Sequence, residues 1–189
     1  MSVAVLDSQR LKLVALVPEN AVSIFDRFRG FPRFGEIQEV AVRGRTAAER
    51  TALGARIDDA VSDSGRAVML LAQGNACAAA AWWARLSPKS YTANVYAALL
   101  VAPEETGLNH RGFASPKMVL PFPSLVVGTD DETQRLGGEW GSRLIDGPFL
   151  TAATAPTGRL RFIIERFTAA IVERDVVAAH RIIQAMGDK

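Results

Sequence analysis

The stretch that decides the fold is Val68-Met69-Leu70-Leu71-Ala72-Gln73-Gly74-Asn75-Ala76-Cys77. A short apolar run with strand character leads directly into an alanine-rich segment with helix character. Ala72 and Ala76 are small, as they must be where the backbones of a strand and the following helix nearly touch. Gly74 stands between them and takes a positive φ without strain. The stretch therefore predicts a sharp strand–turn–helix unit that carries no hydroxyl at its centre.

Around this unit, apolar runs alternate with helix-type segments along the chain. We predict strands at 11–17, 36–42, 67–72, 95–101, 124–127 and 142–145, and helices at 21–31, 46–63, 75–86 and 131–140. Strands that alternate with helices favour a mostly parallel sheet covered on both faces. The prediction is a three-layer, doubly wound α/β fold with flavodoxin-like layering. Its six strands are expected in the order 2-1-3-4-5-6, in a single domain over residues 1–189.

The composition fits one ordinary globular domain. Apolar residues make up 49% of the 189 residues and charged residues 22%, which is enough apolar material for one core. The formal net charge of +2 is too small to indicate nucleic-acid binding. Cys77 is the only cysteine, so no internal disulfide forms and a reducing compartment is favoured. No apolar run approaches a membrane span and the first residues lack a signal-peptide core, so we expect a cytoplasmic protein with no membrane contact.

The C-terminal part, residues 158–186, is predicted to be helical. Its first stretch repeats apolar residues that can cover the sheet: Leu160, Ile163, Ile164, Phe167 and Ile171. A helical extension at about 172–187 adds a second stripe, made of Val172, Val176, Ala179, Ile183 and Met186. A continuous helix over 159–186 would be about 42 Å long, against a domain diameter of about 35 Å. We therefore expect this stripe to mediate a homodimer or bind a partner protein. The alternative is a break near Glu173 that folds the last helix back.

Several motifs along the chain resemble a known family. The clearest are Leu120-Pro121-Phe122-Pro123-Ser124-Leu125-Val126-Val127-Gly128-Thr129 and Glu139-Trp140-Gly141-Ser142-Arg143-Leu144-Ile145-Asp146. Ala97-Ala98-Leu99-Leu100-Val101-Ala102-Pro103 and the 70–77 part of the opening stretch add to them. Taken in their order along the chain, the four motifs are similar to those of the small serine hydrolases related to retinoblastoma-binding protein nine and to YdeN. The resemblance covers roughly residues 11–170 and implies a minimal α/β-hydrolase fold.

The resemblance also places the family's catalytic serine, aspartate and histidine on this chain. The serine falls on Gly74, and the histidine that usually precedes it falls on Gln73. The aspartate falls on Asp130, Asp131 or Glu132. The catalytic histidine is expected near 147–151, where this sequence has none. The resemblance therefore implies a degenerate member that lacks the catalytic serine and histidine.

The loop after the first strand departs from the family as well. The family has a glycine-bearing Pro-Gly loop there, which helps to build the oxyanion hole, whereas this chain reads Pro18-Glu19-Asn20. A carboxylate at that place would oppose the negative charge of an acyl-transfer transition state. Ligand crevices in doubly wound sheets lie at the carboxyl ends of the strands, near the switch in strand order. We expect such a crevice here, lined by Glu19, Asn20, Gln73, Gly74, Asn75, Thr129 and Asp130.

Other candidate residues have simpler explanations. His110 and His180 lack a neighbouring acid and nucleophile and are expected at the surface. Cys77 is expected to be a small buried residue. The acidic run that begins at Asp130 equally fits a helix start, where negative charge is favoured. The arginines and phenylalanines between Phe25 and Arg45 are expected to form a solvated face and part of the core. No metal-binding spacing and no glycine-rich nucleotide loop occurs, so we expect neither a metal nor a cofactor.

Three hypotheses about function follow. The first is a non-catalytic pseudo-hydrolase that acts in binding or assembly. The second is an esterase-like hydrolase with a non-standard catalytic set, for example a water activated by the carboxylate of Glu19 or Asp130. The third is a small-molecule binder that uses the vacated crevice.

Overall fold

The computed structural model describes residues 11–28, 34–62, 67–103, 113, 117–145 and 166–167. The strands are β1 (Leu11–Pro18), β2 (Phe34–Val42), β3 (Val68–Gln73), β4 (Val95–Val101), β5 (Ser124–Val127) and β6 (Arg143–Ile145). The helices are a 3-10 helix (Ile24–Phe28), α1 (Ala47–Ser62), α2 (Ala76–Leu86), α3 (Lys89–Thr92) and α4 (Asp131–Glu139).

The strands form one six-stranded sheet in the order β2-β1-β3-β4-β5-β6, and each of the pairings is parallel. The predicted α/β class and strand order are therefore confirmed. In register, Leu16 of β1 lies opposite Ala72 of β3, and Gln73 of β3 lies opposite Val101 of β4. Val101 in turn lies opposite Val127 of β5. The carboxyl ends of these four strands therefore meet at one edge of the sheet.

Successive side chains of a strand point to opposite faces of the sheet, so the core is divided into two clusters, one on each face. The first cluster joins β-strand residues such as Leu16 and Leu70 to α1, α2 and α4. The second joins the alternate residues, such as Leu71 and Leu99, to Phe25 of the 3-10 helix, with Phe167 packed against them. The contact of Phe167 agrees with the predicted role of the C-terminal apolar residues in covering the sheet.

Local interactions define where α1 begins and how it meets α2. The Thr46 hydroxyl accepts from the Glu49 N–H at 3.1 Å, and the Glu49 carboxylate accepts from the Thr46 N–H at 3.0 Å. This reciprocal pair is a capping box. Nearer the end of α1, the Asp58 carboxylate accepts a hydrogen bond at 2.7 Å from the indole N–H of Trp83 in α2. The buried alanines of α2 let the helix lie close against the sheet.

Two predictions of local structure were wrong. The helix predicted at 21–31 is, within the described residues, only the 3-10 helix Ile24–Phe28. The reason is a long-range contact: the carbonyl of Val22 and the N–H of Ile24 both bond to the Gln73 side chain instead of to helical neighbours. The short helix α3 was not predicted, because four residues are too few to show a helical period.

Several predictions fall outside the described residues. They are His110, His180, the loop 147–151 and the partner surface Val172, Val176, Ala179, Ile183 and Met186. Apart from residues 166–167, the predicted C-terminal helix also lies outside them. Among the described helices, none combines the length and the apolar character that crossing a membrane requires.

Candidate functional site

The turn between β3 and α2 has the sharp geometry that the sequence predicted. Gly74 has a φ of +54°, in the left-handed region that favours glycine. Its N–H donates to the Val101 carbonyl of β4 at 2.9 Å, and its own carbonyl accepts from the Cys77 N–H at 3.1 Å. The turn is thus fixed to the neighbouring strand on one side and to the first turn of α2 on the other. Any residue with a side chain at position 74 would have a strained backbone conformation.

A second residue with positive φ follows the next strand, and the sequence did not reveal it. Ala102, directly after β4, has a φ of +43°, and its N–H donates to the Val127 carbonyl of β5 at 2.7 Å. A positive φ is uncommon for a residue with a Cβ and is concentrated at functional sites. The one sequence signal is Pro103, which disfavours right-handed helical backbone for the residue before it. Adjacent strand ends therefore carry left-handed residues at this edge.

Gln73, the last residue of β3, binds the segment that follows β1. Its side-chain Oε1 accepts from the Ile24 N–H at 2.9 Å, and its Nε2 donates to the Val22 carbonyl at 2.9 Å. Both polar atoms of the carboxamide are therefore used by the protein itself. Gln73, predicted to line the crevice, is thus bonded to the segment that follows β1.

Asn75 precedes α2 at the position of the N-cap, yet it does not act as one. No side-chain hydrogen bond caps the helix. The Oδ1 atom is buried and has no hydrogen-bond partner among the described residues. Leaving a buried acceptor unpaired lowers the free energy of unfolding, typically by about 1–3 kcal/mol. Asn75 therefore has a buried acceptor next to Gly74 that no described residue pairs.

Glu19, which follows β1, forms an ion pair with Arg43, which follows β2. The Arg43 guanidinium lies 2.7 Å from the Glu19 carboxylate, and both side chains are about half exposed. Pro18 lies opposite Val42 in the register of the two strands, which brings the next residues of both strands side by side. The negative charge of Glu19 at the crevice is therefore offset by a neighbouring cation. Asn20 is exposed beside it.

Asp130 caps α4. Its Oδ1 accepts from the Thr133 N–H at 2.7 Å, and its Oδ2 accepts from the Thr133 hydroxyl at 2.8 Å. The N–H of Thr133 is the main reason that the pKa of Asp130 is lowered from its ordinary value. Asp131 is the exposed first residue of α4, and Thr129 is exposed just before Asp130. The simple explanation of the acidic run, a helix start, describes the role of Asp130 here.

The register brings the crevice residues together in two groups. Glu19, Asn20, Gln73, Gly74 and Asn75 lie at the adjacent carboxyl ends of β1 and β3, where the strand order switches. Thr129 and Asp130 follow β5, two strands from β3, which places them about 10 Å away at ordinary strand spacing. The end of β4, with Ala102, lies between the two groups.

The Cys77 thiol lies at the same edge, since it shares the Val101 carbonyl with the Gly74 N–H. Cys77 is buried, and its thiol donates to the Val101 carbonyl at 3.7 Å. Within the described part of the chain, no group of three or more histidine, cysteine, aspartate and glutamate side chains has the geometry to hold a metal ion. Apart from Cys77, the polar groups of the predicted crevice residues are carboxylates, carboxamides, the Thr129 hydroxyl and backbone N–H groups.

An open parallel sheet in the order β2-β1-β3-β4-β5-β6, with a sharp turn between β3 and α2, is the arrangement of an α/β-hydrolase fold. The chain belongs to the serine hydrolase family, which matches residues 33–148. No curated protein matches the sequence.

Solved structures share this fold at low sequence identity. A YdeN-like hydrolase candidate from Pectobacterium atrosepticum has a TM-score of 0.63 and 20% identity, over 87% of this chain and 94% of that chain. The RedJ thioesterase of the prodiginine biosynthetic pathway of Streptomyces coelicolor has a TM-score of 0.54 and 12% identity, over 82% of this chain and 84% of that chain. A RedJ structure with polyethylene glycol in its active site has a TM-score of 0.51 and 13% identity, over 85% and 89% of the two chains.

Proposed function

We propose that this chain is a non-catalytic member of the serine hydrolase family and acts by binding. The observation that carries the proposal is Gly74, with its φ of +54°. The turn that would hold a nucleophile is kept, while the residue at its centre has no side-chain oxygen. A covalent acyl transfer needs an activated nucleophile and a base within hydrogen-bond reach.

The remaining polar groups support the same proposal. The Gln73 carboxamide is engaged by Val22 and Ile24, and it has no group that titrates near neutral pH. The Glu19 carboxylate is paired with Arg43. A lowered pKa makes Asp130 a weaker base, because general bases work best with a pKa near the operating pH. The esterase-like alternative, with a water activated by Glu19 or Asp130, therefore has less support. If activity is retained, ester-type bonds are the class to test.

Asn75 favours a second candidate function, a small-molecule binder in the vacated crevice. Its buried Oδ1 lacks a partner among the described residues and lies beside a residue with no side chain. A ligand N–H or O–H group that reached this oxygen would satisfy it and gain affinity from doing so. The ligand class in this case is a neutral polar molecule with a hydrogen-bond donor.

We propose, in addition, a partner that binds the second apolar stripe at residues 172–186, either a second copy of the chain or another protein. The support is the sequence pattern, since a projecting apolar stripe needs cover. The only cysteine, Cys77, is buried, which agrees with a protein of the reducing cytoplasm.

A fluorophosphonate probe tests the absence of a serine mechanism. The purified protein is incubated with the probe and its intact mass is measured, beside an active serine hydrolase as the positive control. We expect no covalent adduct on this chain. An adduct that peptide mapping assigns to a crevice residue would contradict the proposal.

A further inference from the structure

The segment between β1 and the 3-10 helix is fixed at both ends but weakly held in its middle. We call residues 20–24 the strap. At its start, the Ala21 N–H donates to the Pro18 carbonyl at 3.0 Å. At its other end, Ile24 packs against the second core cluster, in which the next residue, Phe25, is fully buried. Val22, in the middle, is 85% exposed and adds no apolar contact that would hold the strap in place.

The Gln73 carboxamide supplies the hold that the middle of the strap otherwise lacks. It accepts from Ile24 and donates to Val22 at 2.9 Å each, so one planar group bonds two residues of the strap at once. This pattern needs a donor and an acceptor side by side. Leucine offers neither, and glutamate at neutral pH offers acceptors only. The contact is therefore specific to the carboxamide.

The contact between Gln73 and the strap lies next to the predicted crevice. Gln73 directly precedes Gly74, and the strap follows Pro18 at the end of the neighbouring strand β1. The strap therefore lies beside the ends of β1 and β3, where the crevice is predicted. We expect a movement of the strap away from β3 to change the access to Gly74 and Asn75.

We propose that Gln73 is a latch. Its two hydrogen bonds hold the strap against the end of β3, and the crevice opens when both bonds break while Phe25 and the Pro18 turn stay in place. Segments with few apolar contacts and partly exposed hydrogen bonds are the ones that open locally, without global unfolding. The latch is a property of the strap whether the crevice is catalytic or not.

Amide hydrogen exchange of Ile24 tests the latch directly. Gln73→Leu removes both bonds and should speed the exchange of the Ile24 N–H by about tenfold or more. The amides of Leu71 and Leu99 in the central strands report global unfolding and should keep their protection. Gln134→Leu, at an exposed glutamine of α4, is the matched control and should change neither. Gln73→Glu keeps an acceptor for Ile24 but loses the donor to Val22, so its effect should be intermediate.

A thiol reporter tests whether the latch controls access. Gly74→Cys is made with Gln73 and, separately, with Gln73→Leu, and the rate of reaction with Ellman's reagent is compared. Buried Cys77 in the parent chain gives the background rate. We expect the reaction to be several-fold faster without the latch. Equal rates in the two backgrounds, or Ile24 exchange that Gln73→Leu leaves unchanged, would overturn the proposal. So would loss of protection at Leu71 and Leu99, which would make Gln73 a residue of the global fold.

Discussion

Asp130 binds Thr133 through both carboxylate oxygens, at 2.7 Å to the main-chain N–H and 2.8 Å to the hydroxyl. The side chain placed by family resemblance as a catalytic acid is therefore the N-cap of α4. We predict that Asp130→Ala lowers the free energy of unfolding by about 1 kcal/mol, the usual value of an N-cap. Asp130→Asn should lower the free energy of unfolding much less, since asparagine caps helices equally well. Urea denaturation measures both, and Asp131→Ala, at an exposed neighbour, is the control.

The same cap gives the stability a defined pH dependence. Because the pKa of Asp130 is lower in the folded state than its ordinary value of 3.8, the charged form favours folding. The ionised Asp130 carboxylate contributes fully to the free energy of unfolding above its pKa in the unfolded chain. This contribution is lost as the pH falls through its pKa in the folded protein. The difference in stability between the parent chain and Asp130→Ala should therefore shrink below about pH 4. A difference that grows on acidification would contradict the role of the carboxylate as a cap.

Gly74→Ser should be less stable and still inactive. Serine must bear the positive φ at this position, which costs about 1 kcal/mol, and the described part of the chain holds no histidine that could act as its base. Gly54→Ser is the matched control, because Gly54 lies in α1 with no atom within 4 Å of an added Cβ. That change should be neutral or slightly stabilising. Thermal unfolding and ester hydrolysis are measured on both. A Gly74→Ser protein that is active and melts like the parent would contradict both expectations.

Asn75→Ala should raise the free energy of unfolding by about 1 kcal/mol, because it removes a buried oxygen that has no partner among the described residues. No capping bond is lost, since the Asn75 side chain makes none. Asn94→Ala, at an exposed asparagine, should stay within about 0.5 kcal/mol of the parent. Chemical denaturation compares the variants. A clear loss of stability in Asn75→Ala would mean that the oxygen is already paired in the folded protein.

The stripe at 172–186 predicts that the full chain is a dimer or binds a partner, and that the chain cut after Val172 is a monomer. The physical reason is that the predicted helix over 159–186 would be longer than the domain, so that its apolar stripe would project and need cover. Light scattering gives the mass of both forms. A monomeric full chain whose truncation misfolds would instead favour a helix folded back on its own domain.

The sequence predicted the sheet better than it predicted the crevice. The bounds of β4 and β5 were predicted correctly, because both are apolar runs next to prolines, Pro103 and Pro123. The strand order followed from the alternation of strands and helices and from the family resemblance. These signals are local in the chain, which is why one sequence suffices to reveal them.

The crevice depends on contacts between residues far apart in the sequence, and these were not predictable. Gln73 bonds to Val22 and Ile24, about fifty residues earlier, and thereby replaces the predicted helix at 21–31. The pairing of Glu19 with Arg43 likewise depends on strand register. The positive φ of Ala102 has no residue-type signal, because alanine rarely adopts it.

Turnover of short-chain nitrophenyl esters tests the central claim most directly. The rigorously purified parent chain is assayed beside Glu19→Gln and Asp130→Asn, which neutralise the two carboxylates of the crevice. We predict that all three proteins hydrolyse the esters no faster than the buffer does. Robust turnover by the parent chain that either crevice variant abolishes would contradict the account and identify the protein as a hydrolase with a non-standard catalytic set.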